Sequence, residues 1–133
     1  MKEKARVRYD EMRNGTRHQL LTKRFLMTHT GRCYCGEIKF EFDDPIHSQL
    51  LCHCRECRYL SGGEPNASVV ITEKNFRVTK GELKTFARSD LEAPRVRYFC
   101  DNCGTHVCVE SPPRPGMLVL KIGTLFLSLV SGV

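Results

Sequence analysis

The eight cysteines constrain the fold of this 133-residue chain more than any other feature of its sequence. Seven of them occur in groups whose neighbours are separated by only one or two residues, and the eighth stands alone. In chain order they are Cys33, Cys35, Cys52, Cys54, Cys57, Cys100, Cys103 and Cys108. Cysteines so close in sequence are poorly placed for ordinary structural disulfides but well placed to share a metal ion. The spacing therefore predicts a metal-binding domain.

A disulfide framework is the alternative, because the number of cysteines is even. The N-terminal segment contains no apolar stretch of the kind that secretory signals carry. We therefore expect a cytoplasmic location, where thiols stay reduced. The grouping and the expected compartment both favour metal binding over disulfides.

Two of the cysteine groups are pairs followed directly by glycine, "CYCG" and "CDNCG". A glycine at that position can adopt positive φ and lets the backbone curl round a metal ion, as in zinc knuckles. The four thiolates of Cys33, Cys35, Cys100 and Cys103 suffice for one closed tetrahedral zinc site. Because such a site adds its binding free energy to folding, it suits a small domain.

The third group, Cys52, Cys54 and Cys57, offers only three ligands. Three protein ligands and one vacant position are typical of a catalytic zinc site. Zinc with three thiolates carries one net negative charge, which lowers its Lewis acidity and favours a soft fourth ligand such as a substrate thiolate. Zinc also keeps a coordinating thiol deprotonated. The group therefore predicts capture of a thiol in preference to hydrolysis.

Other side chains could change this interpretation. Cys108 could supply the fourth ligand and make the second site structural, but it lies within a predicted strand without a following glycine and reads better as a small buried residue. His53 could supply the fourth ligand instead, but it sits between two of the ligands and is expected to point away. His106 is expected to be structural. The remaining histidines are expected at the surface: His18, His29 and His47.

The charge distribution argues against a nucleic-acid partner. Residues 1–32 hold nine Lys or Arg against three acids, whereas residues 33–133 hold twelve of each. In a neutral domain without tryptophan, the basic grooves and stacking platforms that bind nucleic acids are expected to be scarce. The most apolar stretch, near the C-terminus, is interrupted by Lys121 and is shorter than the roughly 18 residues of a membrane helix. We expect neither partner, and the sequence leaves the oligomeric state open.

Alternating apolar and polar residues predict a small all-β domain with metal-binding turns. The strands are expected at residues 37–42, 67–71, 75–79, 83–87, 95–99, 105–110 and 117–122. A helical turn or two is expected at residues 55–60. Residues 1–30 read as a basic extension and residues 31–133 as the zinc domain. Met27 resembles a natural start of the folded part, so we expect the first 26 residues to be dispensable.

Four segments, in order and spacing, resemble the glutathione-dependent formaldehyde-activating enzyme (GFA) family, whose domain is shared with centromere protein V. They are "GRCYCGEIKFEF", "CHCRECRYLSGG", "FCDNCGTHV" and "KIGTL", which together cover about residues 31–125. The resemblance implies an all-β tent of short antiparallel sheets built around two zinc ions. It also implies a structural site matching the two knuckles and a catalytic site matching Cys52, Cys54 and Cys57.

The resemblance implies a carbon–sulfur lyase that forms or cleaves an adduct of glutathione with formaldehyde, S-(hydroxymethyl)glutathione. Gly62, Gly63 and either Arg55 or Arg58 would then bind a glutathione carboxylate. The alternatives are a non-catalytic zinc module and a carrier of glutathione or another thiol. The family continues past "GTL" with an acidic turn, whereas this chain continues with "FLSLVSGV", so we expect a truncated or altered C-terminal end.

Overall fold

The computed structural model describes residues 27–126. The expectations for the basic extension before Met27 and for the last seven residues lie outside this range. Within it, the all-β prediction is confirmed, because nine strands form two antiparallel sheets and there is one short α-helix. No helix in this part of the chain is long and apolar enough to cross a bilayer.

The strands divide three and six between the two sheets. The smaller sheet has the order β1-β2-β5, with strands Thr28–Arg32, Lys39–Asp43 and Phe76–Lys80. The larger has the order β3-β4-β9-β8-β7-β6. Its strands β3, β4, β6, β7, β8 and β9 are Ile46–Cys52, Asn66–Thr72, Lys84–Phe86, Val96–Phe99, His106–Glu110 and Met117–Lys121. Helix α1, Arg55–Ser61, connects β3 to β4.

The hydrophobic core lies between the two sheets. Phe40 and Phe42 of β2 point into it from the smaller sheet, and each is almost wholly buried. From the larger sheet, alternate residues of β4 and β9 meet them: Val69, Ile71, Leu118 and Leu120. Burying one such side chain contributes about 1.5–3 kcal/mol. This period-two burial is what the alternation in the sequence predicted.

The other face of the larger sheet carries polar residues that are buried as well. Ser68 of β4 lies opposite Lys121 of β9, and Arg97 of β7 is on the same face; the three are only 2%, 8% and 3% exposed. Helix α1 contacts β4 and reaches Arg97 through Glu56. The helix therefore covers a polar sheet face, and this interface positions the candidate site.

Seven strands lie within two residues of their predicted bounds, but β1 and β3 were not predicted. β1 begins at Thr28, before the expected domain boundary at residue 31. Each of the two lies at the edge of its sheet. Edge position alone does not explain the omission, since β5 and β6 are also edge strands and were predicted. The sequences THTGR and IHSQLLC do not alternate apolar and polar residues regularly, so the pattern gave no signal.

Candidate metal centres

The two predicted cysteine sets each converge in space. The sulfurs of Cys33, Cys35, Cys100 and Cys103 all lie within 4.8 Å of one another, and so do those of Cys52, Cys54 and Cys57. Tetrahedral zinc with bonds of about 2.3 Å requires sulfurs about 3.8 Å apart. In the first set, the Cys33–Cys35 and Cys35–Cys100 separations are 3.5 Å and 3.8 Å. The residues thus fit a metal such as zinc.

The four-cysteine cluster forms where two hairpin turns meet. After β1, the chain turns at Gly36, whose N–H donates to the Cys33 carbonyl at 3.2 Å and whose φ is +80°. After β7, Gly104 repeats this arrangement, donating to the Cys100 carbonyl at 2.8 Å with φ +73°. A side chain would strain either backbone, so glycine is required at both positions.

Further hydrogen bonds join the two turns around this cluster. The Tyr34 N–H donates to Thr105 Oγ1 at 3.1 Å, and that hydroxyl lies 3.1 Å from Cys103 Sγ. The Ile38 N–H donates to Cys33 Sγ at 3.2 Å. Cys33 and Cys100 are each 1% exposed. The cluster therefore links a turn of the smaller sheet to a turn of the larger one, with two of its cysteines buried, Cys103 half-buried and Cys35 exposed.

The three-cysteine cluster is built by the start of α1. Cys52 ends β3, Cys54 is the N-cap residue, and Cys57 lies in the first turn, where residues three apart share a face. The Cys57 N–H donates to Cys54 Sγ at 3.4 Å. Gly62 caps the C-terminal end of the helix in the left-handed conformation, with φ of +76°. Unlike the first cluster, this one includes no fully buried cysteine.

In residues 27–126 no fourth cysteine, histidine or carboxylate joins the three-cysteine group. Cys108, the first alternative, is 1% exposed and packs in the core between the sheets. Burial raises the pKa of its thiol to about 12. His53, the second alternative, is exposed and also lies outside the group. Among the described residues, this group therefore offers three ligand atoms.

Thiols packed this closely cannot all ionise without a compensating cation. A hydrogen bond from Thr105 lowers the pKa of Cys103 to about 5. In the other cluster the Cys57 N–H lowers the pKa of Cys54. Burial, together with the neighbouring sulfurs, then raises the pKa of Cys57 to about 12. A divalent cation would remove this conflict and allow every sulfur to bind as a thiolate.

Polar residues beneath the three-cysteine cluster were not predicted from the sequence. Arg97 donates to Glu56 at 2.5 Å, and Lys121 donates to Ser68 at 3.4 Å. Sequence alternation places Arg97 and Lys121 on the outer face of the sheet, where charged residues normally meet water. The only available signal was a lysine inside an apolar strand, at Lys121.

His106 extends this polar face. It lies opposite Phe99 of β7 and stacks on its ring. Its Nδ1 is buried and has no hydrogen-bond partner in the described part of the chain. Burial lowers its pKa, and the charges of Arg97 and Lys121 act in the same direction. The neutral imidazole is therefore the favoured form.

An open groove of about 560 Å³ runs along α1. The described residues that line it are Arg55, Arg58, Tyr59, Gly62 and Gly63. These include all four residues that the sequence suggested for carboxylate binding, although the three cysteines are not in the lining. Arg58 Nε donates to the Gly63 carbonyl at 3.0 Å, and Arg55 donates to the Tyr59 hydroxyl at 3.3 Å.

These features define a small all-β domain with two clusters of cysteines that could hold metal ions, one of four sulfurs and one of three. The sequence profile described as glutathione-dependent formaldehyde-activating enzyme matches residues 28–128. The chain belongs to this family, which confirms the resemblance seen in its motifs.

Two known proteins are similar to this chain. A curated protein of Halomonas elongata, provisionally named a glutathione-dependent formaldehyde-activating enzyme, is 29% identical over 93 residues. That alignment covers 66% of this chain but only 59% of the relative. A crystal structure of a Rhodobacter sphaeroides protein matches with a TM-score of 0.61 at 19% identity, covering 73% of this chain and 87% of that one. The second match shows a similarity of fold alone.

Proposed function

We propose that this protein is a zinc-dependent enzyme of the carbon–sulfur lyase type that forms or cleaves an adduct between a thiol and an aldehyde. Glutathione and formaldehyde are the proposed pair, in keeping with the family's name. The observation that carries the proposal is the three-cysteine cluster, whose sulfurs converge without a fourth protein ligand in residues 27–126. A location in the cytoplasm would supply both reduced cysteines and glutathione.

In this proposal two zinc ions bind per chain, in distinct roles. Cys33, Cys35, Cys100 and Cys103 would hold a structural ion. Cys52, Cys54 and Cys57 would hold a second ion, whose charge favours the ionised form of a substrate thiol and polarises a carbonyl. The fourth position of that site would be left to the substrate.

The chemistry conserves both atoms and electrons. In the forward direction a bond forms between the thiol sulfur and the aldehyde carbon, while the sulfur's proton passes to the carbonyl oxygen, giving a hydroxymethyl thioether. The reverse direction breaks that carbon–sulfur bond and returns the thiol and the aldehyde. Because no redox change occurs, the reaction requires no redox cofactor.

The groove along α1 is the proposed site for the body of glutathione. Arg55 and Arg58 each use one donor within the protein and retain others that can pair with a carboxylate. Gly62 and Gly63 would contribute space, since no atom beyond their chain neighbours lies within 4 Å of where a side chain would stand, while their N–H groups already donate to the Arg58 carbonyl. An arginine-lined groove beside the three-cysteine cluster suits an anionic thiol peptide.

The direct test is the rate of adduct formation between formaldehyde and glutathione, measured by exchange NMR with and without the zinc-loaded protein. We expect the wild-type chain to raise the rate above the spontaneous one and the Cys54→Ser variant to abolish the increase. Cys108→Ala is the matched control, since it removes a thiol outside both clusters. Equal rates with and without wild-type protein would refute the enzymatic role. Glutathione binding with no rate increase would identify a carrier instead.

A further inference from the structure

Lys121 is a buried cation whose charge is not balanced within the described residues. It is 8% exposed, and its ammonium donates to a neutral hydroxyl, that of Ser68, at 3.4 Å. The ion pairs of residues 27–126 join other partners, and none of them involves Lys121. A buried charge is costly unless an opposite charge lies near it.

Strand register places Lys121 on the same sheet face as the three-cysteine cluster. Cys52 lies opposite Asn66, and Lys121 lies opposite Ser68, two residues further along the same strand, β4. Residues two apart in a strand share a face, and β3 and β9 flank β4 at about 4.8 Å on either side, so the side chains of Cys52 and Lys121 project from the same face of the sheet. Ser68 in turn donates to Asn66 Oδ1 at 3.3 Å. A polar path thus leads from Lys121 towards the cluster.

The surroundings of Lys121 act on its charge in both directions, and the net effect is a lowered pKa. Burial lowers the pKa of Lys121, and the charge of Arg97 adds to that effect. The charges of Cys57 and Cys52 act in the opposite direction and favour the ammonium form. Arg97 cannot replace Lys121, because it is already paired with Glu56 at 2.5 Å.

We propose that Lys121 is the built-in counter-charge of the three-cysteine centre. Three thiolates and one divalent metal ion carry one net negative charge, which the lysine ammonium cancels. The inference rests on the proposed function and deepens it: a neutral centre can accept the anionic sulfur of a substrate thiol, whereas a centre already negative would repel it. Lys121 is thus a positioning residue that acts through charge.

The test measures how tightly full-length protein holds zinc in wild type and in a Lys121→Met variant. Transfer of zinc to a chromogenic chelator is followed with time, and cobalt(II) titration reports thiolate coordination independently. We expect wild type to release two equivalents in a fast and a slow phase. In Lys121→Met we expect the affinity for the zinc ion released in the fast phase to fall about 10- to 100-fold, the range for residues that support metal ligands. The zinc ion released in the slow phase should be held as tightly as in wild type.

Two further variants separate charge from structure. Lys121→Arg keeps the charge and should retain most of the wild-type affinity for zinc, while Lys74→Met removes an exposed lysine and should behave as wild type.

Thermal unfolding provides the second readout. A buried lysine replaced by methionine should leave the melting temperature unchanged or raised, because the cost of burying a charge disappears. A purely structural lysine would instead lower the melting temperature and leave zinc affinity alone.

The outcomes distinguish this inference from the proposed function. If Lys121→Met holds the second zinc ion as tightly as wild type does, the counter-charge role is wrong while the open centre stands. If Lys121→Met does not fold, Lys121→Gln, which keeps a polar group towards Ser68, replaces it under the same criterion. If wild-type protein binds only one zinc ion, the open centre itself is wrong and the inference fails with it.

Discussion

The local environment of each cysteine separates the eight residues into distinct groups. Cys103 and Cys54 accept hydrogen bonds that favour the thiolate, whereas Cys108 is surrounded by core side chains that favour the thiol. The sequence already indicated this division, since Cys108 lacks both a neighbouring cysteine and a following glycine. Spacing was informative because metal ligands must converge, which restricts where they can lie in the chain.

Substituting Cys108 tests that division. We expect Cys108→Ala to keep both metal equivalents, because its thiol is not part of either cluster. Its loss leaves a small void in the core and should reduce the free energy of unfolding by about 1 kcal/mol. Metal analysis combined with denaturant unfolding measures both effects. Loss of one metal equivalent in this variant would show that Cys108 is a ligand.

Asp44 should make stability depend on pH in the acid range. Burial opposes ionisation of its carboxyl, but hydrogen bonds from His29 at 2.8 Å and the Met27 N–H at 3.0 Å outweigh it and lower the pKa. A lowered folded-state pKa contributes stability above the unfolded value of about 3.9, and this contribution is lost as pH falls through the folded value.

The matched variant is Asp44→Asn. We expect it to cost about 1 kcal/mol near neutral pH, a small figure because the carboxylate is partly exposed. The difference from wild type should stay constant down to about pH 5 and shrink below about pH 4. Denaturant unfolding across this range measures it. A difference that grows on acidification would contradict the assignment.

At the scale of elements, the sequence predicted the strands that are rich in apolar and β-branched residues. β4 and β9 are of this kind, whereas β1, THTGR, has no apolar residue and β3, IHSQLLC, has no regular alternation of apolar and polar residues. Helix α1 has only seven residues and none of them is buried, so it is too short to be stable by itself. Its position depends on tertiary contacts, which local sequence does not reveal.

The contact between Glu56 and Arg97 should anchor α1 to the sheet. Arg97 is buried, and the Glu56 carboxylate also accepts from Arg95 at the surface. We expect Glu56→Gln to lower the free energy of unfolding by about 2 kcal/mol, because it leaves the Arg97 charge without a balancing anion. Metal should also be held less tightly at the three-cysteine cluster, since α1 and its N-cap residue supply two of its sulfurs.

Arg95→Gln is the matched control for this anchor. It removes the exposed partner of the same carboxylate and should cost less than about 1 kcal/mol. Urea unfolding and metal retention are measured for both variants. If the two substitutions had equal effects on stability, the buried contact would not be the anchor.

At the scale of the whole molecule, the two clusters occupy different structural positions. The four-cysteine cluster joins turns from both sheets, whereas the three-cysteine cluster lies at one end of a short helix outside the core. The membership of both cysteine clusters followed from spacing. The buried polar residues beneath the three-cysteine cluster were not predicted, because nothing in the sequence shows that α1 covers the outer face of the larger sheet and buries Lys121 and Arg97.

Disrupting the four-cysteine cluster should therefore have a different consequence from disrupting the three-cysteine cluster. We expect Cys35→Ser to destabilise the whole domain by several kcal/mol, since metal binding there contributes to folding. Cys54→Ser should lose one metal equivalent and the catalytic activity while its melting temperature falls only slightly. Circular dichroism melting and metal analysis of both variants check this. Equal destabilisation by the two substitutions would contradict the division into structural and catalytic sites.

The most direct measurement is anomalous diffraction at the zinc absorption edge from crystals of the zinc-loaded protein. We expect two anomalous peaks per chain, one bonded to the sulfurs of Cys33, Cys35, Cys100 and Cys103. The second should be bonded to Cys52, Cys54 and Cys57, with water or an added thiol as its fourth ligand. A single peak, or a protein side chain in that fourth position, would contradict the account.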